Sequence, residues 1–284
     1  MKDYLHGICM VVMFLLLPAW SFSQEVVISI DSIDKLYVTD AEAALRHIGT
    51  LRSHCEASGW KSCSQAHLEA VESLIYLRKG DHHNAQKHAY AALAAPRDDD
   101  KTWRLIAYQS LCESFYATGN YALQGKYAMM MSLEADQPTF SALAHIYEAQ
   151  ALGHTDNPRR ALAKADSALL IMEQSHPETE NEQFNTLLLY YFSLDTKIQI
   201  CREAGMPEEA YDYAMQFLDR LAQEERQGGN GMDVNGFKTE RLNNYLRLAN
   251  ICLDLGKDGN MWFEKGMVLY RELVHSVDVT CEVA

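Results

Sequence analysis

The chain has 284 residues, of which 48% are hydrophobic, and its formal net charge is −14 from 39 acidic and 25 basic side chains. This hydrophobic content is that of a folded protein and excludes a disordered chain. The acidic excess repels phosphate backbones and anionic bilayers, so nucleic-acid binding and stable membrane insertion of the mature protein are not expected. Six prolines and long runs of helix-forming residues predict an all-α protein.

Residues 1–23 have the pattern of a secretory signal peptide. A basic start precedes the apolar run Ile8–Trp20, and small residues follow at Ser21 and Ser23. We expect cleavage after Ser23 and an exported protein, periplasmic or associated with the cell envelope. An uncleaved membrane anchor is the alternative, but a spanning helix needs about 20 apolar residues and this run is shorter.

The mature chain then divides into an extended leader over 24–38, a helical array over 39–276 and a polar tail over 277–284. Thr39 and Glu42 form a capping-box pattern that opens the first helix, and Gly59 is suited to end it. Polar turns separate helix-length runs, and we expect helices over 39–58, 64–78, 82–94, a run ending at 117, 121–134, 139–152, 158–173, 182–204, 207–227, 238–255 and 259–276.

A short polar turn followed by small residues at fixed offsets recurs five times. The clearest copies are Gly80-Asp81 with Ala85, Ala89 and Ala92, and Asp156-Asn157-Pro158 with Ala161, Ala165 and Ala168. Two helices can cross closely only where the side chains between them are small. The recurrence therefore predicts stacked helical hairpins, an architecture that usually binds a partner rather than catalyses a reaction.

These turns and alanines resemble the tetratricopeptide repeat family, whose unit is a helix-turn-helix of about 34 residues. The resemblance implies a superhelical array of antiparallel helix hairpins, an α-solenoid, although Gln124, Met131, Met261 and Val268 replace the small residues in two copies. An exported array of this kind also resembles the extracytoplasmic sensory region of Bacteroidetes regulators that contain such repeats. That second resemblance implies the sensory part of a signalling system.

In such an array the first helix of each hairpin lines a concave groove, so groove residues can be placed by their offset from each turn. The resulting set is polar and of both charge signs: His67, Arg78, Gln109, Glu113, Tyr116, Gln150, Asp195, Gln199, Arg202, Asn243, Arg247 and Asn250. A surface of this kind suits an extended peptide or a protein partner. Solvated helix faces are the alternative. Charge reversal at Arg202 and Arg247 is expected to weaken binding.

Six cysteines remain after cleavage, and export permits disulfides. Cys55 and Cys63 flank a predicted turn and could form a disulfide, although the sequence does not give the separation that one requires. Cys112, Cys201 and Cys252 fall within apolar-periodic helical runs, where buried free thiols are expected.

The sequence gives no catalytic, metal or cofactor motif, so no enzyme and no cofactor is predicted. The histidines His82, His83 and His88 do not share one helix face well. We therefore expect a non-catalytic scaffold that binds a protein or peptide. The alternative is a carbohydrate-binding protein resembling outer-membrane glycan receptors, against which stands the scarcity of tryptophan. The last hairpin lacks a polar capping helix, which predicts a homodimer or partner docking at that face.

Overall fold

The computed structural model describes residues 40–60, 64–96, 101–155, 157–228 and 231–281, with side chains up to residue 274. These residues form eleven α-helices and no strand: α1 (Ala41–Ala57), α2 (Gln65–Arg78), α3 (His82–Ala94), α4 (Thr102–Ala117), α5 (Tyr121–Glu134), α6 (Pro138–Gly153), α7 (Pro158–Gln174), α8 (Glu180–Glu203), α9 (Pro207–Arg226), α10 (Val234–Asp254) and α11 (Asn260–Cys281). The all-α prediction is confirmed.

The chain divides into two compact units, Met1–Ala151 and Leu152–Ala284, with the boundary inside α6. In the first unit α1 packs on α2, α2 on α3 and α4, α3 on α4, and α4 on α5. In the second unit α7 packs on α8, α8 on α9, α9 on α10, and α10 on α11. Within each unit these helices therefore pack on their neighbours in sequence, as short connections between antiparallel helices require.

Two of the recurring turns, Gly80-Asp81 and Gly119-Asn120, have the same local cause. Gly80 adopts φ 72, and backbone bonds from Gly80 N to Leu77 O (3.0 Å) and from Asp81 N to Tyr76 O (2.9 Å) close the end of α2. The Asp81 carboxylate then accepts from Asn84 N at 3.1 Å and caps α3. A glycine followed by Asp or Asn thus ends one helix and begins the next within two residues.

The alanines that follow these turns are buried, as predicted. Ala85, Ala89, Ala161, Ala165 and Ala168 are all 0% exposed. In the copy that departs from the pattern, Gln124 and Met131 occupy the equivalent positions and are equally buried. In the other departing copy Met261 and Val268 are 55% and 50% exposed, so the pattern marks buried positions in the first of these two copies and not in the second.

Several helix starts differ from the sequence prediction. The first helix is capped by Asp40, whose Oδ1 accepts from Ala43 N at 2.9 Å, and the expected cap Thr39 lies outside the described residues. A complete capping box occurs instead at α8, where Glu182 N donates to Thr179 Oγ1 (3.2 Å) and Thr179 N donates to Glu182 Oε2 (3.1 Å). Helix α8 therefore begins at Glu180, two residues before its predicted start.

Helix α10 also begins earlier than predicted, at Val234 rather than at residue 238. The Asp233 carboxylate accepts from Gly236 N at 2.6 Å and satisfies one of the first amide groups of the helix. Helix α11 extends to Cys281, past the predicted end at 276. None of the described helices is both long enough and apolar enough to cross a bilayer.

Candidate functional site

Six predicted groove residues of the second unit lie on two helices, α8 and α10. We call this set the polar strip: Asp195, Gln199, Arg202, Asn243, Arg247 and Asn250. Two ion pairs connect the helices here. Asp195 pairs with Arg247, and Arg202 Nε lies 2.8 Å from Asp254 Oδ2.

Both ion pairs join residues that are 52 positions apart in the sequence. In the first pair α8 supplies the acid and α10 the base, and in the second pair α8 supplies the base and α10 the acid. On each helix the two paired residues are seven positions apart, which is two helical turns. Because the distance in sequence between partners is the same in both pairs, α8 and α10 run parallel and in register over these two turns. Asp195 and Arg247 of the polar strip are therefore in direct contact, while the role of the strip in binding a partner stays a prediction.

The two pairs differ in burial. The Asp195 and Arg247 side chains are each 15% exposed, whereas Arg202 and Asp254 are 35% and 41% exposed. Burial raises the pKa of Asp195 above its ordinary value, and the neighbouring Arg247 only partly offsets this effect. The inner pair is thus a part of the packed interior, and the outer pair lies at the surface.

The amides of the polar strip differ in what they bind. Gln199 donates to Glu203 Oε1 at 2.9 Å. Asn243 is half-buried and Asn250 is exposed, and neither side chain makes a hydrogen bond to the described residues. The side-chain amides of Asn243 and Asn250 are therefore the groups of this face that can donate to and accept from a partner without breaking an internal contact.

A second carboxylate lies beside the inner ion pair. Glu240, two turns before Arg247 on α10, is 8% exposed. Burial raises its pKa to about 7, with Arg247 opposing the shift and Asp195 adding to it. Two acids thus share one arginine, an arrangement that sequence reasoning missed because the spacing along α10 does not reveal which residues face α8.

The predicted groove residues of the first unit are placed differently. His67, Gln109, Glu113 and Gln150 are buried, and Arg78 and Tyr116 are half-buried. His67 stacks on Trp103 with ring centroids 3.3 Å apart, and Gln150 Oε1 accepts from Gln124 Nε2 at 2.9 Å. Most of this set therefore faces the helix interfaces rather than an open groove.

Glu113 is the centre of that buried set. Its Oε1 accepts from Tyr147 OH at 2.6 Å and from Gln109 Nε2 at 3.0 Å. Burial raises the pKa of Glu113 to about 7, although both hydrogen bonds favour the charged form. Among the described residues no basic side chain pairs with this carboxylate.

A group of potential metal ligands occurs where α1, α2 and α3 meet. Ligand atoms of Glu69, Glu72 and His88 lie within 4.8 Å of one another, and carboxylate and imidazole are common ligands of divalent ions. Arg52 Nη1 donates to Glu69 Oε1 at 2.6 Å and Arg52 also bonds Glu72. A guanidinium therefore already supplies the positive charge that a metal ion would bring.

This cluster also explains the electrostatics of Glu69. Burial alone would raise the pKa of Glu69, but the hydrogen bonds from His88 (2.8 Å) and Arg52 outweigh burial and place the pKa below its ordinary value. Sequence analysis missed the cluster because its members come from three helices. The one available signal was that Glu69 and Glu72, three residues apart, share a helix face.

The cysteines are placed largely as predicted. Cys112, Cys201 and Cys252 are buried free thiols, which confirms their assignment to the core. Cys55 is buried and disulfide-bonded. Cys63, its predicted partner, lies outside the described residues, so the Cys55–Cys63 pairing stays a prediction.

Helix α11 exposes an apolar row on one side. Phe263, Tyr270 and Val274 are 47%, 52% and 40% exposed and lie at spacings of seven and four residues, so they share one face. We call these three residues the α11 stripe. On the opposite side of the helix, Val268 is also exposed.

Comparisons with protein-family models, with curated proteins and with solved structures found no match to this chain.

Proposed function

We propose that the protein is an exported, non-catalytic scaffold with a tetratricopeptide-like array of helix hairpins, and that it binds a protein or peptide along the polar strip. One observation carries the proposal: two ion pairs hold α8 and α10 parallel and in register, and α10 presents there the side-chain amides of Asn243 and Asn250, which make no hydrogen bond to the described residues. An extended peptide needs such a row of donors and acceptors for its backbone and polar side chains.

Export is supported by the N-terminal sequence pattern, and residues 1–23 lie outside the described part of the chain. A sensory role in a signalling system follows from the resemblance to the Bacteroidetes regulators alone. The carbohydrate-binding alternative receives less support, since Trp103 and Trp262 are buried, at 8% and 7% exposure, and Trp60 is the one tryptophan of the described residues that is partly accessible to a sugar.

The test of the binding proposal replaces amides that have no internal role. We expect the double substitution Asn243→Ala and Asn250→Ala to weaken partner capture by about tenfold or more, because each lost hydrogen bond contributes roughly 0.5–1.5 kcal/mol. The measurement is a crosslinking pull-down from the envelope of the native cell, followed by titration of the captured partner.

The matched control is Gln223→Ala with Gln227→Ala, which removes two exposed amides at the end of α9. Equal capture by both double variants and the parent chain would count against the polar strip. Charge reversal at Arg202 and Arg247 is a poorer test than the sequence suggested, because it also breaks both ion pairs between α8 and α10.

We also propose that a second copy of the chain covers the α11 stripe. Two α11 helices that pair antiparallel about the midpoint between Glu264 and Arg271 place each of these exposed charges opposite its complement on the other copy. Apolar rows of this kind are usually covered in helical arrays. The charges beside the stripe therefore fit self-association.

Sedimentation of the purified chain should show a dimer. The double substitution Phe263→Lys and Tyr270→Lys should give a monomer, because lysines buried between the two copies would lose their water without gaining a negative partner. Val268→Lys, at an equally exposed apolar position outside the stripe, should leave the dimer intact. A chain that remains monomeric at high concentration would refute this assignment.

A further inference from the structure

Glu113 has an incomplete set of contacts for a buried carboxylate. Tyr147 and Gln109 both donate to its Oε1 atom, at 2.6 and 3.0 Å. Its Oε2 atom receives no hydrogen bond from the described residues, and the residue is only 7% exposed. One oxygen of the carboxylate is therefore held in place by two donors while the other is left available.

Buried carboxylates in proteins are nearly always paired with a cation. The arginines of the first unit that are nearly buried already have partners. Arg104 Nε lies 2.9 Å from Glu134 Oε2, and Arg52 bonds the two carboxylates on α2. The described part of the chain thus offers Glu113 no counter-charge of its own.

A second acceptor without a donor lies in the same layer of helices. The side chain of Gln124 on α5 is fully buried, and its Oε1 atom has no hydrogen-bond partner among the described residues, while its Nε2 atom donates to Gln150 Oε1. Gln150 lies one turn after Tyr147 on α6. In this orientation of the two amides, Gln124 Oε1 is a buried acceptor without a donor.

We propose that Glu113 is the recognition point for the primary ammonium group of a lysine side chain on a bound protein or peptide segment. The ligand class follows from the geometry of the acceptors. An arginine guanidinium bonds a carboxylate best through both of its oxygens, whereas an ammonium is a compact charge that can bond the one oxygen of Glu113 that has no donor.

This lysine site rests on the proposed function in one respect, since the lysine is a residue of the bound protein or peptide. The site itself lies in the first unit and shares no residue with the polar strip. A small ligand that carries only the lysine side chain therefore tests the site independently of whether the polar strip binds a partner.

The experiment is a calorimetric titration of the purified chain with N-acetyl-lysine methylamide. Saturable binding is expected, and it should weaken by about tenfold or more in Glu113→Gln, which keeps the shape and the Oε1 acceptor but removes the charge. N-acetyl-norleucine methylamide, which has the same chain without the ammonium, should not bind. Asn243→Ala with Asn250→Ala should bind the lysine compound as the parent chain does.

Tyr147→Phe provides the second variant, because it removes one donor to Oε1 and leaves the carboxylate in place. It should weaken binding of the lysine compound less than Glu113→Gln does, because it removes one hydrogen bond that favours the charged form and not the charge itself. Circular dichroism verifies that both variants fold. The proposal is overturned if the parent chain shows no saturable binding, or if Glu113→Gln binds the compound as tightly as the parent does. Tighter binding of the corresponding arginine compound would overturn the lysine assignment.

Discussion

Replacing Arg247 by alanine should lower the free energy of unfolding by about 3–5 kcal/mol, the loss typical of removing one partner of a buried ion pair. Asp195 is 15% exposed and has Arg247 as its ion-pair partner on α10. Without the guanidinium, Asp195 and Glu240 would remain as neighbouring buried acids with no cation between them. Urea denaturation of the parent chain and the variant measures the difference.

The outer ion pair is the matched control for this substitution. Arg202→Ala removes the same residue type from a pair with the same sequence offset and the same two helices. Because Arg202 and Asp254 are each more than a third exposed, the expected loss is below about 1 kcal/mol. Similar losses for the two variants would mean that the inner pair is not part of the packed interior.

The second large effect is a fall in stability as the pH rises from the ordinary glutamate pKa of 4.5 to about 7. Glu113 and Glu240 have folded-state pKa values of about 7 because they are buried. In this pH window the folded chain retains protons that the unfolded chain has released, so raising the pH favours unfolding. Each group contributes at most about 3 kcal/mol, with the full loss reached above the folded-state pKa.

Glu113→Gln should remove the contribution of Glu113. Unfolding free energies measured at about pH 5 and about pH 8 should differ less in the variant than in the parent chain, by up to about 3 kcal/mol. Glu173→Gln, at an exposed position on α7, should leave the pH dependence of the parent chain unchanged. If Glu113→Gln and the parent lose stability equally between these pH values, the carboxylate is not buried as described.

The helices and their turns could be predicted because their signals are local. Gly80 with Asp81, and Gly119 with Asn120, end one helix and cap the next through contacts that span only a few residues. Helices α3 and α5 accordingly begin and end where the sequence indicates. The start of α8 was placed too late because the capping box of Thr179 and Glu182 lies inside a polar stretch that reads as a loop.

The candidate sites could be predicted only in part. The offset from each turn correctly brought Asp195 and Arg247 to one face, since that step depends on helical periodicity alone. Their pairing could not be foreseen, because it requires the register between α8 and α10, which the long-range packing sets. For the same reason Glu113 and Gln109 were expected at a solvated groove, whereas contacts with Tyr147 on α6 bury them.

The most direct test of the scaffold proposal is site-specific photocrosslinking in the native envelope. A photoreactive residue at Asn250 lies on the exposed part of the polar strip, and the same residue at Gln223 lies on α9, away from it. The account predicts one dominant protein adduct from position 250 and none from position 223. Equal adducts from both positions, or none from position 250, would contradict the claim that the polar strip binds a protein or peptide.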